Sequence, residues 1–446
     1  MTISEKLAGF AVSLREEDLP AGVWERARTH FVDTLACMFL GTDSQSVKRA
    51  LPYVKTYGGS AQAAFPGGLW TDAAHCAMLG AIAAHSNDFD DMSSNLNGHP
   101  SALLVPVVLA LGQKENVTGR EMLMAYIAGV EIDAILGRMV QEAGYPKGWN
   151  PTTAIGIFGG VAAAGRLLGL DRKEMTHAFG MAVNESAGFK ANYGTFAKDL
   201  AIGTVAAKAV LLAESAKSGF DASRDAFEGP FGFFRNVTGA AEGNPLAEPP
   251  EKYRSDFLFP GLIMKPYPSC RGNHSGIDCI TRIVRRHAFR PEDVRQIVCK
   301  VDQAAWDTDR YERPETPSQA KFSLAFCVAK VVCGGQIEIQ DFLGEEIRDR
   351  APLALLPKIR IVCAPEEFPE SRFGTEVRVD LTDGGVYTEK ACYAKGDPAC
   401  PMTQEEIDCK LRACLEIALG AGEAEKMMAR LLKFDRLPQV REIFSL

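Results

Sequence analysis

The chain changes its hydrophobic periodicity twice, and this change limits which folds it can adopt. Up to about residue 255, apolar residues return at three- and four-residue spacings, as in 122–140, which is typical of amphipathic helices. Alternating apolar and polar residues then predict strands at 296–301 and 358–363 and a hairpin over 376–393. From Thr403 the pattern is helical again. We therefore expect a mainly α protein with a smaller α+β domain inserted before the C-terminal helices.

The large helical part is rich in small residues, most densely at 154–170. Small side chains let helix axes approach closely, so we expect a crowded bundle. A segment rich in Pro and Gly at 247–262 is typical of a linker. These features place the all-helical domain at 1–262 and 398–446, and the α+β domain at 263–397.

Composition excludes several classes of function. The net charge of −8 over 446 residues argues against a nucleic-acid partner or an anionic membrane surface. No apolar run approaches the ~18 residues of a membrane span, and the N-terminus does not resemble a signal peptide, so we expect a cytoplasmic protein. The 12 cysteines form no CxxC pair, and no nucleotide-binding glycine motif is present. We therefore expect neither a metal nor a nucleotide cofactor.

The stretch from 85 to 100 concentrates acidic and imidazole side chains between two apolar segments. Its aspartates include Asp88, and its histidines include His99. A desolvated carboxylate can remove a proton next to a carbonyl, and an imidazole transfers protons near neutral pH. The spacing fits neither a helical HxxxH metal site nor an EF-hand. The alternative is a polar loop whose aspartates cap the next helix.

Cationic residues mark two further stretches. Lys198 follows a Gly-Thr turn at the start of an apolar helix, where it is either a carboxylate anchor or a solvated charge. Lys265 begins a stiff, proline-containing segment that continues through Cys270 and Arg271 to His274. Such a segment, followed by a helix, suits anion binding. The alternative is a rigid strut between domains.

A fourth candidate stretch is 311–321, whose end overlaps a helical pattern over 319–332. Tyr311 and Arg313 are the side chains there that could reach a cleft. A surface turn explains the same residues equally well.

Together these stretches resemble the MmgE/PrpD family, and the resemblance extends over nearly the whole chain. The resemblance rests on several motifs that occur in the same order as in the family, and this ordered set is more specific than any single motif. The matching residues are His85, Asp88-Phe89-Asp90-Asp91, His99-Pro100, Gly194-Thr195 with Lys198, 265–270 with His274, 313–324, and 396–403 followed by Lys410.

The resemblance implies a large helical domain, a smaller α+β lid and a homodimer. It also implies a cleft between the two domains that uses no cofactor or metal. By position, Asp88 and His99 line that cleft, and Lys198 and Lys265 match lysines that bind substrate carboxylates. Tyr311 matches a tyrosine implicated in the decarboxylase branch.

Four positions depart from the family's pattern. Cys270 stands where the decarboxylase branch has histidine, and the epimerase-like branch has a similar Pro-Ser-Cys segment. Asn150 replaces a histidine, Met92 a threonine and Ala201 a histidine. Asn150 can hydrogen-bond an oxyanion, but an amide does not transfer a proton at neutral pH.

We therefore expect a cofactor-independent, dehydratase-like lyase acting on a small di- or tricarboxylate by α-proton abstraction. Asp88 or His99 would move the proton, Tyr311 could act as an acid, and Lys198 and Lys265 would hold carboxylates. Further substrate-binding candidates are Asn150, Cys270, Arg271 and His274. The alternatives are an epimerase of an iminodisuccinate-like dicarboxylate, a decarboxylase of an aconitate-like acid, and a noncatalytic carboxylate-binding protein.

Overall fold

The computed structural model describes residues 1–142, 148–238, 257–309, 311–369 and 371–444. The chain is mainly α, as predicted. The elements before the linker are α1 Ile3–Ser13, α2 Val23–Leu40, α3 Gln45–Tyr57, β1 Ala63–Phe65, β2 Leu69–Thr71, α4 Ala73–Ser86, β3 Met92–Ser93, α5 Pro100–Glu115, α6 Gly119–Glu142, α7 Pro151–Ala154, α8 Gly156–Leu167, α9 Arg172–Glu185, α10 Phe196–Lys217 and α11 Phe233–Thr238. Much of the predicted linker at 247–262 lies outside the described residues.

Glycines hold the central helices of the bundle close together. A Cβ added to Gly203 of α10 would lie 2.9 Å from the backbone oxygen of Met78 on α4. One added to Gly160 of α8 would lie 2.8 Å from Ala209 of α10 and 2.9 Å from Leu103 of α5. The crowding predicted from the small residues is confirmed at these crossings.

The α+β part contains a four-stranded sheet in the order β6-β5-β7-β8. Strand β5 pairs parallel with β6 and antiparallel with β7, and β7 forms the predicted hairpin with β8. The elements from the linker onward are β4 Leu262–Ile263, α12 Arg271–Arg286, β5 Val294–Val301, α13 Gln303–Thr308, α14 Pro317–Ala320, α15 Leu324–Gly334, α16 Arg350–Leu355, β6 Ile359–Cys363, β7 Thr375–Leu381, β8 Val386–Ala391, α17 Gln404–Leu419 and α18 Ala421–Leu431.

The helix expected over 319–332 is interrupted. Helix α14 ends at Ala320 and α15 begins at Leu324, because Ser323 caps α15 by accepting a hydrogen bond from the amide of Phe326. The hydrophobic pattern does not reveal this break, since apolar residues continue across it. The interruption places Lys321 at a bend in the chain.

The two parts have separate apolar cores, and the chain passes from one core to the other within a short strand. Leu262 is buried in the core of the helical part and Ile263 in the core between the sheet and α12. Strand β4, which contains both residues, pairs with β3, so the chain crosses between the cores there. Cys414 and Leu415 of α17 return to the helical core. The domain boundaries that we predict at 262/263 and 397/398 remain a proposal. Among the described helices, none is both long and apolar enough to cross a membrane.

Candidate active site

The turn that follows α4 forms the centre of the candidate site. Asp88 in this turn has a left-handed backbone with φ of 52°, a conformation that aspartate tolerates better than most residues. Three buried lysines that come from distant parts of the sequence donate to backbone carbonyls at the turn. These bonds are Lys321 Nζ to Ser86 O at 2.7 Å, Lys265 Nζ to Asp88 O at 2.9 Å and Lys410 Nζ to Phe89 O at 2.8 Å.

The Asp88 carboxylate also binds two lysines through its side chain. Lys198 Nζ, from α10, lies 2.8 Å from Oδ1, and Lys265 Nζ, from the segment after β4, lies 3.1 Å from Oδ2. Burial alone would raise the pKa of Asp88, but these two ammonium groups hold that pKa well below its ordinary value. Asp88 is therefore a firmly ionised group and a poor proton acceptor.

A second carboxylate of the turn, Asp90, contacts two imidazoles. Its Oδ2 lies 3.0 Å from Nδ1 of His85 and 3.1 Å from Nδ1 of His99. Burial opposes ionisation of Asp90, but the histidines reverse this and hold its pKa well below the usual range. The two rings lie against each other with centroids 4.7 Å apart. Asp90 thus fixes both rings.

The contacts of His99 define which of its nitrogens carries the proton. Nδ1 lies 2.8 Å from the backbone oxygen of Asp91, which can only accept a hydrogen bond, so Nδ1 carries the hydrogen. Burial, and then the positive charge of Lys265, lower the pKa of His99 below 6.5. The ring is therefore neutral at pH 7, with its free lone pair on Nε2. The side chain of His99 is 16% exposed, so the ring is not fully enclosed by the protein.

His85, Asp90 and His99 also offer potential metal-ligand atoms within 4.8 Å of one another. However, Nδ1 of His99 also lies 2.8 Å from the backbone oxygen of Asp91, so this nitrogen carries a hydrogen and cannot bind a metal. A zinc ligand would need its nitrogen ~2.0–2.1 Å from the metal, with that nitrogen unprotonated. The geometry fits a hydrogen-bonded triad better than a metal centre.

Tyr311 and Asn150 lie around the turn that precedes α10. The Tyr311 hydroxyl donates to the backbone oxygen of Tyr193 at 2.8 Å. Asn150 caps α7, because its Oδ1 accepts from the Thr152 amide at 3.2 Å, and the same atom accepts from the Tyr193 hydroxyl at 3.3 Å. Asn150 thus has a local structural function, and both residues contact the segment that leads to Lys198.

Comparison with known proteins agrees with this architecture. A family model described as the MmgE/PrpD N-terminal domain matches residues 5–245, and one described as the MmgE/PrpD C-terminal domain matches residues 267–433. The chain belongs to the MmgE/PrpD family.

Curated relatives of this MmgE/PrpD chain include three enzymes named cis-aconitate decarboxylase. The Mus musculus protein is 25% identical over 98% of this chain and 91% of its own length. The Homo sapiens protein is 26% identical over 96% of this chain and 90% of its own length. The Aspergillus terreus protein is 23% identical over 100% of this chain and 95% of its own length.

The segment after Lys265 is buried more deeply than its predicted binding function suggests. Cys270 is the N-cap residue immediately before α12, and burial raises the pKa of its thiol, so it is not a ready nucleophile. Arg271 is 3% exposed, and its Nη2 lies 3.5 Å from Oδ2 of Asp397. Its Nε and Nη1 atoms make no hydrogen bond among the described residues. Burial, then the nearby Arg271 and Lys265, lower the pKa of His274 far below its ordinary value, so its ring is neutral. Substrate binding by these residues stays a prediction.

The structure adds Lys321 to this MmgE/PrpD site, a residue that the sequence analysis does not single out. Its ammonium is buried beside those of Lys198 and Lys265. Lys410 and Asp33 form another buried pair, with Lys410 Nζ 2.7 Å from Oδ1 of Asp33. Lys321 lies within 313–324, one of the segments that carry the family resemblance, and this is the signal that could have identified it. Lys410 is itself one of the residues that carry the resemblance.

Proposed function

We propose that this chain is a lyase that removes a proton from the carbon beside a carboxylate of a small di- or tricarboxylate, in a dehydratase-like reaction. One observation carries the proposal. Lys198 and Lys265, from the two differently folded parts, converge on Asp88 beside a neutral imidazole whose Nε2 can accept a proton.

The charges around Asp88 favour an anionic substrate. Two buried ammonium groups lie within 3.1 Å of this single carboxylate. Burial alone would lower the pKa of Lys198, but Asp88, followed by Asp199, raises it above its ordinary value, so Lys198 stays charged. A substrate carboxylate would balance the excess positive charge, because buried charges are stable only when paired.

The proposed step begins when Nε2 of His99 takes the α-proton. The electron pair left on carbon spreads into the adjacent carboxylate, whose growing charge Lys198 and Lys265 would stabilise. A new carbon–carbon double bond then expels the β-hydroxyl group, which leaves as water after receiving a proton. Tyr311 is our candidate donor of that proton, and its hydroxyl must first turn away from Tyr193 O.

A decarboxylase is the second candidate, and the names of the curated relatives favour it. Decarboxylation needs a proton delivered to carbon, whereas the lowered pKa of His99 favours proton removal at neutral pH. The amide at Asn150 also cannot deliver a proton. These two features rank the dehydratase-like reaction first.

A panel of hydroxy-tricarboxylates, unsaturated tricarboxylates and dicarboxylates tests the proposal. Each compound is incubated with the protein in D₂O and followed by NMR, with CO₂ measured in parallel. Loss of water from a hydroxy acid supports the proposal, and CO₂ release supports the second candidate instead. Deuterium at the α-carbon without net conversion indicates an epimerase. A thermal shift without any chemistry indicates a noncatalytic binding protein.

We also propose that the protein acts as a cytoplasmic homodimer, as predicted. An apolar stripe on the outer face of α10 supports the dimer. Phe196, Leu200 and Leu211 fall on one side of this helix and are 40%, 47% and 57% exposed. Exposed apolar stripes of this kind are typical of protein interfaces. The mass in solution, measured by light scattering, tests this assignment.

A further inference from the structure

Lys321 connects three elements of the candidate site. Its backbone oxygen accepts hydrogen bonds at the start of α12, from the Cys270 amide at 2.8 Å and from Asn273 Nδ2 at 3.0 Å. Its side chain extends the other way, to the last carbonyl of α4, where Nζ donates to Ser86 O at 2.7 Å. The ammonium therefore lies in the same buried cluster as Asp88.

The ammonium of Lys321 differs from the other buried ammonium groups of this cluster. Lys198 and Lys265 pair with Asp88, and Lys410 pairs with Asp33. In the part of the chain that the structure describes, no carboxylate lies within ion-pair distance of Lys321. Lys321 is only 6% exposed. Its hydrogen bond to Ser86 O uses one of the three N–H groups of the ammonium.

Charged groups of both signs face Lys321 from the surrounding elements. Burial lowers the pKa of Lys321, Asp199 on α10 and Asp88 oppose this, and Lys198 and Lys265 add to the lowering. The net result is a pKa of about 8. The binding of an anion would supply the missing counter-charge and keep this lysine protonated.

We propose that Lys321 binds a carboxylate of the substrate and forms, with Lys198 and Lys265, a three-ammonium site that selects tricarboxylates over dicarboxylates. This inference rests on the proposed function and narrows its substrate class. A substrate with three carboxylates presents a charge for each ammonium, whereas a dicarboxylate leaves one without a partner.

Calorimetric titration with two probes tests the selectivity: tricarballylate, which has three carboxylates, and glutarate, which has two. The variants are Lys321→Gln, which keeps an N–H donor for Ser86 O, and Lys321→Met, which does not. Lys390→Gln is the matched control, because Lys390 also donates to a backbone carbonyl, Glu367 O at 2.8 Å, but is exposed. Circular dichroism verifies that each variant is folded.

Near pH 7, we expect Lys321→Gln and Lys321→Met to weaken tricarballylate binding at least about tenfold, the usual effect of one charge-assisted hydrogen bond. Glutarate binding and the Lys390→Gln control should change less than about twofold, the size expected for a surface substitution. Above pH 8, wild-type affinity for tricarballylate should fall more steeply than that of Lys321→Gln. Equal losses for both probes, or unchanged tricarballylate binding in Lys321→Gln, would overturn the inference.

This test separates the inference from the proposed reaction. Selective loss of tricarballylate binding supports the role of Lys321 even if the panel in D₂O shows no chemistry. If wild-type protein binds neither probe, the carboxylate site and the inference both fail. If the panel shows turnover of dicarboxylates alone and Lys321→Gln leaves it unchanged, the reaction stands and the inference is wrong.

Discussion

Lys265 binds Asp88 through two different atoms, donating to its backbone oxygen at 2.9 Å and to its carboxylate at 3.1 Å. One ammonium thus holds both the left-handed turn at Asp88 and the direction of its side chain. The bond joins residues 177 positions apart in the sequence, from the two differently folded parts. The position of the segment after β4 and the geometry of the turn after α4 are therefore coupled.

Replacement of either lysine bound to Asp88 should weaken substrate binding. Lys198→Met and Lys265→Met each remove a charge-assisted bond, so we expect kcat/KM to fall roughly 10- to 150-fold, the equivalent of about 1.5–3 kcal/mol. Lys208→Met is the control, because Lys208 lies on the same helix as Lys198 and its side chain is 45% exposed. Steady-state kinetics on the substrate identified by the panel makes the comparison. A wild-type kcat/KM for both site variants would remove these lysines from the site.

The activity should depend on pH through His99. Its pKa is lowered from 6.5, and the proposed base is the unprotonated imidazole. Therefore kcat/KM should rise with pH through a value below 6.5 and be level near pH 7. A pH profile of kcat/KM measures this limb. An activity that instead declines as the pH rises through that range would indicate that the protonated imidazole is the working form, as decarboxylation requires.

Gly194 should be intolerant of a side chain. It has a φ of 83°, and an added Cβ would lie 2.5 Å from the Tyr311 hydroxyl. We expect Gly194→Ala to cost about 1–2 kcal/mol in backbone strain, and to reduce kcat by displacing Tyr311. Gly219→Ala is the matched control, because its φ is 93° and an added Cβ would meet nothing within 4 Å. The control should lose stability only, so an equal effect of both variants on kcat would contradict the role of Tyr311.

Lys410 should matter mainly for stability. Its ammonium pairs with Asp33, whose side chain is 0% exposed, and it also donates to Phe89 O. Lys410→Met leaves a buried carboxylate without its partner, which typically costs about 3–5 kcal/mol in the free energy of unfolding. Urea denaturation measures the loss. Lys426→Met, at a side chain that is 67% exposed, should change this free energy by less than about 0.5 kcal/mol, and a similarly small effect of Lys410→Met would contradict the account.

The fold class was predictable because it depends on local periodicity. Residues 296–301, 358–363 and 376–393 predicted the strands to within a few positions. The break at Lys321 was not predictable, since Ser323 interrupts a helix whose apolar pattern continues. The capping function of Asn150 could have been inferred, because asparagine followed by proline is a common helix start.

The candidate site was only partly predictable. Sequence motifs identified Asp88, Lys198, Lys265 and His99 as chemistry-bearing side chains, but not which of them is the base. That choice depends on contacts between residues 110 and 177 positions apart, which hold Asp88 as an ion-paired carboxylate. His99 is therefore our candidate for the proton acceptor. No local pattern encodes such distances. The pairing follows only from the packed tertiary structure.

The most direct test of the account is the rate at which substrate labelled with deuterium at the α-carbon releases that label to the solvent, measured by NMR for wild-type protein and His99→Gln at equal occupancy. The central claim is that Nε2 of His99 moves the proton while the lysines hold the carboxylates. We therefore expect His99→Gln to bind the substrate with nearly wild-type affinity and to lower the rate of label release by at least about 100-fold. Label release at the wild-type rate by His99→Gln would contradict the claim.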